Sequence, residues 1–225
     1  MDLTRGESEQ GGKGGEVRVH PAKLAAAAAA AYTDPVRSPV LAAFAALILA
    51  ACQHAPPPAS PQDAFFARLT ALCGKSFGGR LATPPTPADV AFTGKALLMQ
   101  VRDCSASEIR IPFRVGEDRS RTWVVTRTGS GLRLKHDHRH ADGGADLLTQ
   151  YGGDTTSPGD TRRQEFPIDD FSKALFQRQN SAVSMTNVWA MEVEPGRAFT
   201  YELARPGRLL RVEFDLTRPL GDAAR

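Results

Sequence analysis

The sequence predicts a mainly β fold: an antiparallel meander closing into a barrel, with one helix ahead of it and one inserted within it. Two patterns carry that expectation. Apolar residues recur at every second position in short runs over most of the chain beyond Gly74. Turn signals at Gly129-Ser130, Asp142-Gly143-Gly144, Pro195-Gly196 and Pro206-Gly207 separate many of those runs. Sequentially adjacent strands with one apolar face each must close on themselves or split into two sheets, so a β-sandwich is the alternative.

The elements follow in order. Ser60 can cap a helix, Pro61 suits its first position, and Asp63 completes a capping box. Phe65, Leu69 and Leu72 give that helix its apolar face, and Gly74 ends it. Strands are expected at Gly79–Thr83, Ala96–Asp103, Glu108–Val115, Arg121–Arg127, Leu132–His138, Asn187–Val193, Ala198–Ala204 and Arg208–Leu216. Leu147–Gly152 and Arg162–Phe166 read as weaker strands, with Thr155–Asp160 a polar loop between them. Tyr151-Gly152-Gly153-Asp154-Thr155 reads as a tight turn or a ligand-touching loop. Asp169 is placed to cap the second helix, with Phe171 and Leu175 on its buried side. The whole resembles a calycin-like (lipocalin-like) barrel in architecture only, which by itself assigns no function.

Ahead of this domain lies an apolar run, Val40–Ala51, closed by Leu49-Ala50-Ala51-Cys52. It is shorter than the ~20 residues of a membrane span and fits the hydrophobic core of a signal peptide. Leu three residues before the cysteine, small residues next to it and the tether Ala55-Pro56-Pro57-Pro58-Ala59-Ser60 resemble the lipobox of bacterial lipoproteins. The resemblance implies cleavage before Cys52, acylation of Cys52 (including palmitate-type chains) and membrane attachment. Gln53, where enteric-type sorting would retain an Asp-bearing protein in the inner membrane, implies an outer-membrane lipoprotein facing the periplasm. Residues 1–35 are Gly/Glu-rich and then polyalanine, unlike a short basic leader, and read as a mis-set start or a disordered extension. Residues 36–51 are the signal peptide, a GTG codon at Val36 giving a compact start. Residues 52–60 are the tether and 61–225 a single β-rich periplasmic domain.

A net charge of +3 is too small to imply nucleic acid, and acids and bases balance before Cys52. Of three cysteines, acylation of Cys52 leaves Cys73 and Cys104 as an even pair in an oxidising compartment, so a disulfide is expected. With no Cys-x-x-Cys there is neither a zinc ribbon nor a redox motif. Gly74-Lys75-Ser76-Phe77-Gly78 matches the nucleophile-elbow pattern, but here a helix precedes the motif and a strand follows, the reverse of what that chemistry needs.

Register exposes the candidate site. A two-residue Gly129-Ser130 turn pairs Val125 with Leu134, Trp123 with His136 and Arg121 with His138. A five-residue loop, Gly116–Ser120, then sets Ile111 beside Val125, Phe113 beside Trp123 and Val115 beside Arg121. The inward face thus grades from apolar residues to Arg121 and His138, while Arg110, Arg114, Arg133, Lys135, Asp137 and Arg139 face water. Arg121, Trp123, His136 and His138 are the candidate ligand-binding residues. His136 and His138, ~7 Å apart on one face, could also hold a divalent metal given a third ligand such as His140, Asp142 or Asp154. A strand end turning polar at solvent is the plain alternative. No resident cofactor is expected. Three functions stand open: a barrel binding a small amphipathic or anionic molecule, a metal-assisted hydrolase at His136/His138, and a structural or assembly lipoprotein with a filled core. The Arg-rich outer face could meet envelope anions or simply be solvated. No residue pattern names a protein partner.

Overall fold

The computed structural model describes residues 59–221. The lipobox, Cys52 and residues 1–58 as a whole lie outside the described residues. Ten strands form one antiparallel sheet: β1 (Ser76–Leu81), β2 (Leu97–Gln100), β3 (Glu108–Val115), β4 (Asp118–Thr128), β5 (Gly131–His138), β6 (Tyr151–Asp154), β7 (Arg163–Pro167), β8 (Val188–Glu194), β9 (Ala198–Arg205) and β10 (Arg208–Asp215). Apart from β6 and β7, each strand pairs with its neighbours in sequence, and β10 returns to β1. The sheet curls until β6 meets β7 at a single bridge, Gly153 to Ile168, so the meander is a nearly closed, calycin-like barrel.

Two adjacent glycines make that seam. A Cβ on Gly153 would sit 1.8 Å from the Pro167 carbonyl oxygen, and one on Gly152 would sit 1.9 Å from that of Leu134. Only backbone without side chains can approach this closely. Tyr151-Gly152-Gly153-Asp154 is therefore a closing strand rather than a turn or a loop. The Ser172 hydroxyl clamps it, accepting from the Gly152 N–H at 2.7 Å and donating to the Gly152 carbonyl at 3.0 Å.

Helix α1 (Pro61–Thr70) carries the expected capping box between Ser60 and Asp63. It buries Phe65, Phe66 and Leu69 against the end of the barrel where the β4–β5 turn lies, fastened there by Asp63 to Arg127 and by Gln62 to Thr155. Helix α2 (Asp170–Arg178) is capped by Asp169 and buries Leu175 and Phe176. Phe171, expected on that buried side, is instead exposed, its ring beneath the Lys135 ammonium. It is the first full turn's outward residue, one position off the Ser172–Leu175–Phe176 stripe. Cys73 and Cys104 form a disulfide, with Cα atoms 6.4 Å apart.

The β3–β4 connection departs from expectation. The strands turn over Gly116-Glu117, tighter than a five-residue loop, so β4 begins at Asp118. Ile111 pairs with Trp123 rather than Val125, Phe113 with Arg121 rather than Trp123, and Val115 with Asp118, with an irregularity between Phe113 and Val115. Up to Phe113 the shift is two residues, one full pleat, so those side chains keep their face; at Val115, beyond the irregularity, it is three. Phe113 still stacks on Trp123, now diagonally, with ring centres 4.6 Å apart.

Candidate functional site

Connections alternate between the barrel's two ends. The end covered by α1 carries the β4–β5 and β8–β9 turns. The other end carries the residue 82–96 segment, the β3–β4 turn, the 139–150 segment, α2 with the turn Ala182–Ser184, and the β9–β10 turn. At this second end a cavity of about 350 Å³ enters the barrel, within the ~300–1,000 Å³ of small-molecule sites.

The four residues singled out from the sequence all line it. The β4–β5 ladder pairs Trp123 with His136 and Arg121 with His138. Trp123 and His136 are fully buried deep in the wall, and Arg121 and His138 are partly exposed nearer the mouth. The rest of the wall could not be placed from that hairpin: Tyr151, Trp189 and Tyr201 arrive from β6, β8 and β9. Trp123 stacks on Tyr201 at 4.3 Å, and His136 on Tyr151 at 4.5 Å with Trp189 5.2 Å away.

His136 is held by both ring nitrogens. Nδ1 lies 3.1 Å from the Tyr151 carbonyl, which can only accept, so Nδ1 bears the proton. Nε2 then accepts from the Tyr201 hydroxyl at 2.8 Å. Burial first, then the neighbouring His138 and Lys135, push its pKa down to about 3. His136 is thus a neutral, oriented wall residue, and ligating a metal would require it to give up one of these bonds. His138, its ring 6.4 Å from that of His136, faces the Tyr151 hydroxyl at 3.4 Å. Burial and Arg121 lower its pKa, against opposing pulls from Asp146, Asp118 and Asp137. Among the described residues no group of three or more His, Cys, Asp or Glu side chains is arranged to hold a metal ion.

Two cations at the mouth escaped the sequence reading. Arg205 ends β9 and Arg208 begins β10, on the inward parity of Tyr201 and Leu203 and of Leu210 and Val212. Arg208 bonds Asp89 at 2.6 Å, whereas Arg205 reaches only Ser184 Oγ and Asn187 Oδ1, at 3.4 and 3.3 Å. Among the described residues no carboxylate lines the cavity. The hairpin logic applied to Gly129-Ser130 would have found this pair across Pro206-Gly207.

The outer face is different. A hollow of about 500 Å³ there is bordered by Arg102, Arg110, Arg114, Arg119 and Arg139. All but Arg119 are ion-paired, Arg110 and Arg139 sharing Asp137 at 2.5 and 3.0 Å. Asp137, expected in solvent, is therefore buried beneath two guanidinium groups, although on the predicted face. Arg133 and Lys135 are likewise neutralised by Asp154 and Asp169. Ser76 of the elbow-like motif borders this same hollow, which no histidine lines. Comparison of the chain with protein-family models, curated proteins and solved structures finds no match in any of the three.

Proposed function

We propose that this chain is a bacterial envelope lipoprotein, anchored in the outer membrane through acylated Cys52, whose periplasmic barrel binds a small amphipathic molecule with an anionic group. The observation that carries the binding reading is the lining of the cavity: aromatic walls below, guanidinium and imidazole groups at the mouth, and no carboxylate among them. Aromatic surface favours an apolar body and the cationic rim an anionic head, the division of labour of most small-molecule sites. Exposed Val90, Leu147 and Val183, all on connections at the open end, supply an apolar surround for an amphiphile on its way in. The inner cavity is preferred over the outer hollow because it joins its cationic rim to an aromatic floor of Trp123, Tyr151, Trp189 and Tyr201, which the outer hollow lacks.

A hydrolase reading finds less support. His136 is locked between one acceptor, the Tyr151 carbonyl, and one donor, the Tyr201 hydroxyl, and burial raises the Tyr151 and Tyr201 phenols far from the nucleophilic range. A structural lipoprotein with a filled core does not account for the open volume beside Trp123.

Native mass spectrometry of the purified protein tests the reading. The expected spectrum holds, besides the bare chain, a complex with one small acid that is released on denaturation or taken up when amphipathic acids are added. A chain that takes up none of a panel of amphipathic acids would contradict it. Attachment is tested separately: Cys52→Ser should release the protein from membranes and stop N-terminal processing, and normal processing with retention in membranes would refute the lipobox.

A further inference from the structure

Resting on the ligand-binding reading of the cavity, we infer that its anion-binding pole is the Arg205–Arg208 pair and that it takes a singly charged carboxylate.

The first observation is a directly opposed pair of like charges. In the β9–β10 ladder Arg208 pairs with Arg205, and both side chains fall on the inward parity and line the cavity. Opposed residues have Cβ atoms ~5 Å apart, and like charges at that spacing destabilise a sheet unless something neutralises them. One carboxylate is at hand. Asp89, itself buried, binds Arg208 at 2.6 Å while its other oxygen is consumed by the Thr86 N–H and hydroxyl. Two guanidinium groups against one carboxylate leave one positive charge unmatched.

That charge belongs to Arg205. Among the described residues it forms no ion pair, and its two contacts, to Ser184 and Asn187, are long and to neutral oxygens. Burial first and then the neighbouring Arg208 depress its pKa, against a weaker opposing pull from Asp89, whose carboxylate is bonded to Arg208 rather than to Arg205. A second, independent sign lies on Arg208: its Nε is buried and has no hydrogen-bond partner. A buried donor left unmade is costly and adds to the strain of the like-charged pair. A carboxylate beside the pair would accept from Arg205, the unmatched cation, in the fork geometry that arginine offers such groups.

The other pole is already balanced. Arg121 is ion-paired with Asp118 and lies over the Phe92 ring, so it adds field but little free donor capacity. The excess of a single charge at Arg205 selects a monoanion over a dianion, and the aromatic floor selects an apolar body.

The test uses the chain's own reporters. Trp123 and Trp189, the two tryptophans of the chain, both line the cavity, so occupancy is read as a change in intrinsic fluorescence. The full chain and its Arg205→Gln and Arg121→Gln variants are titrated with decanoate and with decanol, and thermal melts confirm that each variant folds. Arg205→Gln should weaken decanoate at least tenfold and leave decanol unchanged, while Arg121→Gln costs less than threefold. Equal decanoate affinity in Arg205→Gln and the parent, or a larger loss in Arg121→Gln, overturns the assignment while leaving the cavity reading intact. Failure of both decanoate and decanol to bind the parent overturns the cavity reading and the assignment with it.

Discussion

His136 shows how a single residue can be legible in kind and misjudged in role. Alternation placed it on the inward face of β5, and the turn paired it with Trp123. What alternation could not show is that Tyr151 and Tyr201, remote in sequence, occupy both its nitrogens. That environment has a measurable consequence. A histidine kept neutral to about pH 3 in the folded chain but titrating near 6.5 when unfolded binds more protons in the unfolded state between those values. Its contribution to stability is complete above pH ~6.5 and is lost as pH falls towards 3, up to ~5 kcal/mol in all. His136→Phe should therefore flatten the fall in stability between pH 6.5 and 5, measured by urea unfolding at several pH values. An unchanged slope would mean that His136 is not the buried neutral group described. His136→Ala, which also empties an aromatic contact, should cost about 2–4 kcal/mol at neutral pH. His138→Ala, nearer the mouth, should cost less than ~1 kcal/mol while weakening ligand binding.

Among the elements, the strands and caps were readable because each depends on local chemistry: a period of two, a turn pair, a serine with an aspartate three residues on. The misreadings share a cause. Nothing within Gly116–Ser120 says that Asp118 will already pair with Val115, so the β3–β4 register came out one pleat away. Phe171 looked like core because phenylalanine usually is, yet the helix stripe runs through its neighbour Ser172, whose hydroxyl fastens β6. The glycine pair at the seam was visible as sequence but opaque as function, since its reason is a backbone arriving from β7. This element makes a sharp prediction. Gly153→Ala should destabilise by more than ~3 kcal/mol, because the clash is with backbone that cannot yield, whereas Gly78→Ala, with open space around it, should change little beyond local strand packing. Comparable melting temperatures for the two variants would contradict closure through Gly152-Gly153.

At the scale of the whole molecule, one end of the barrel is stoppered by α1 and tied down by the Cys73–Cys104 bridge, and the other opens on a lined cavity. Reduction of the disulfide should lower stability by roughly 3–4 kcal/mol on the chain-entropy view with little effect on the distant mouth; a large loss of ligand affinity on reduction would contradict that separation. This asymmetry, one end closed and the other open on an aromatic cavity with a cationic rim, is what suits the barrel to the proposed amphipathic anion. The most direct measurement is a titration with 1-anilinonaphthalene-8-sulfonate, a single-charged aromatic amphiphile that accepts energy from tryptophan. Saturable one-to-one binding to the native chain is expected, with energy transfer from Trp123 and Trp189 and displacement by decanoate. Native protein that gives no saturable signal, or a signal that decanoate cannot displace, would contradict it.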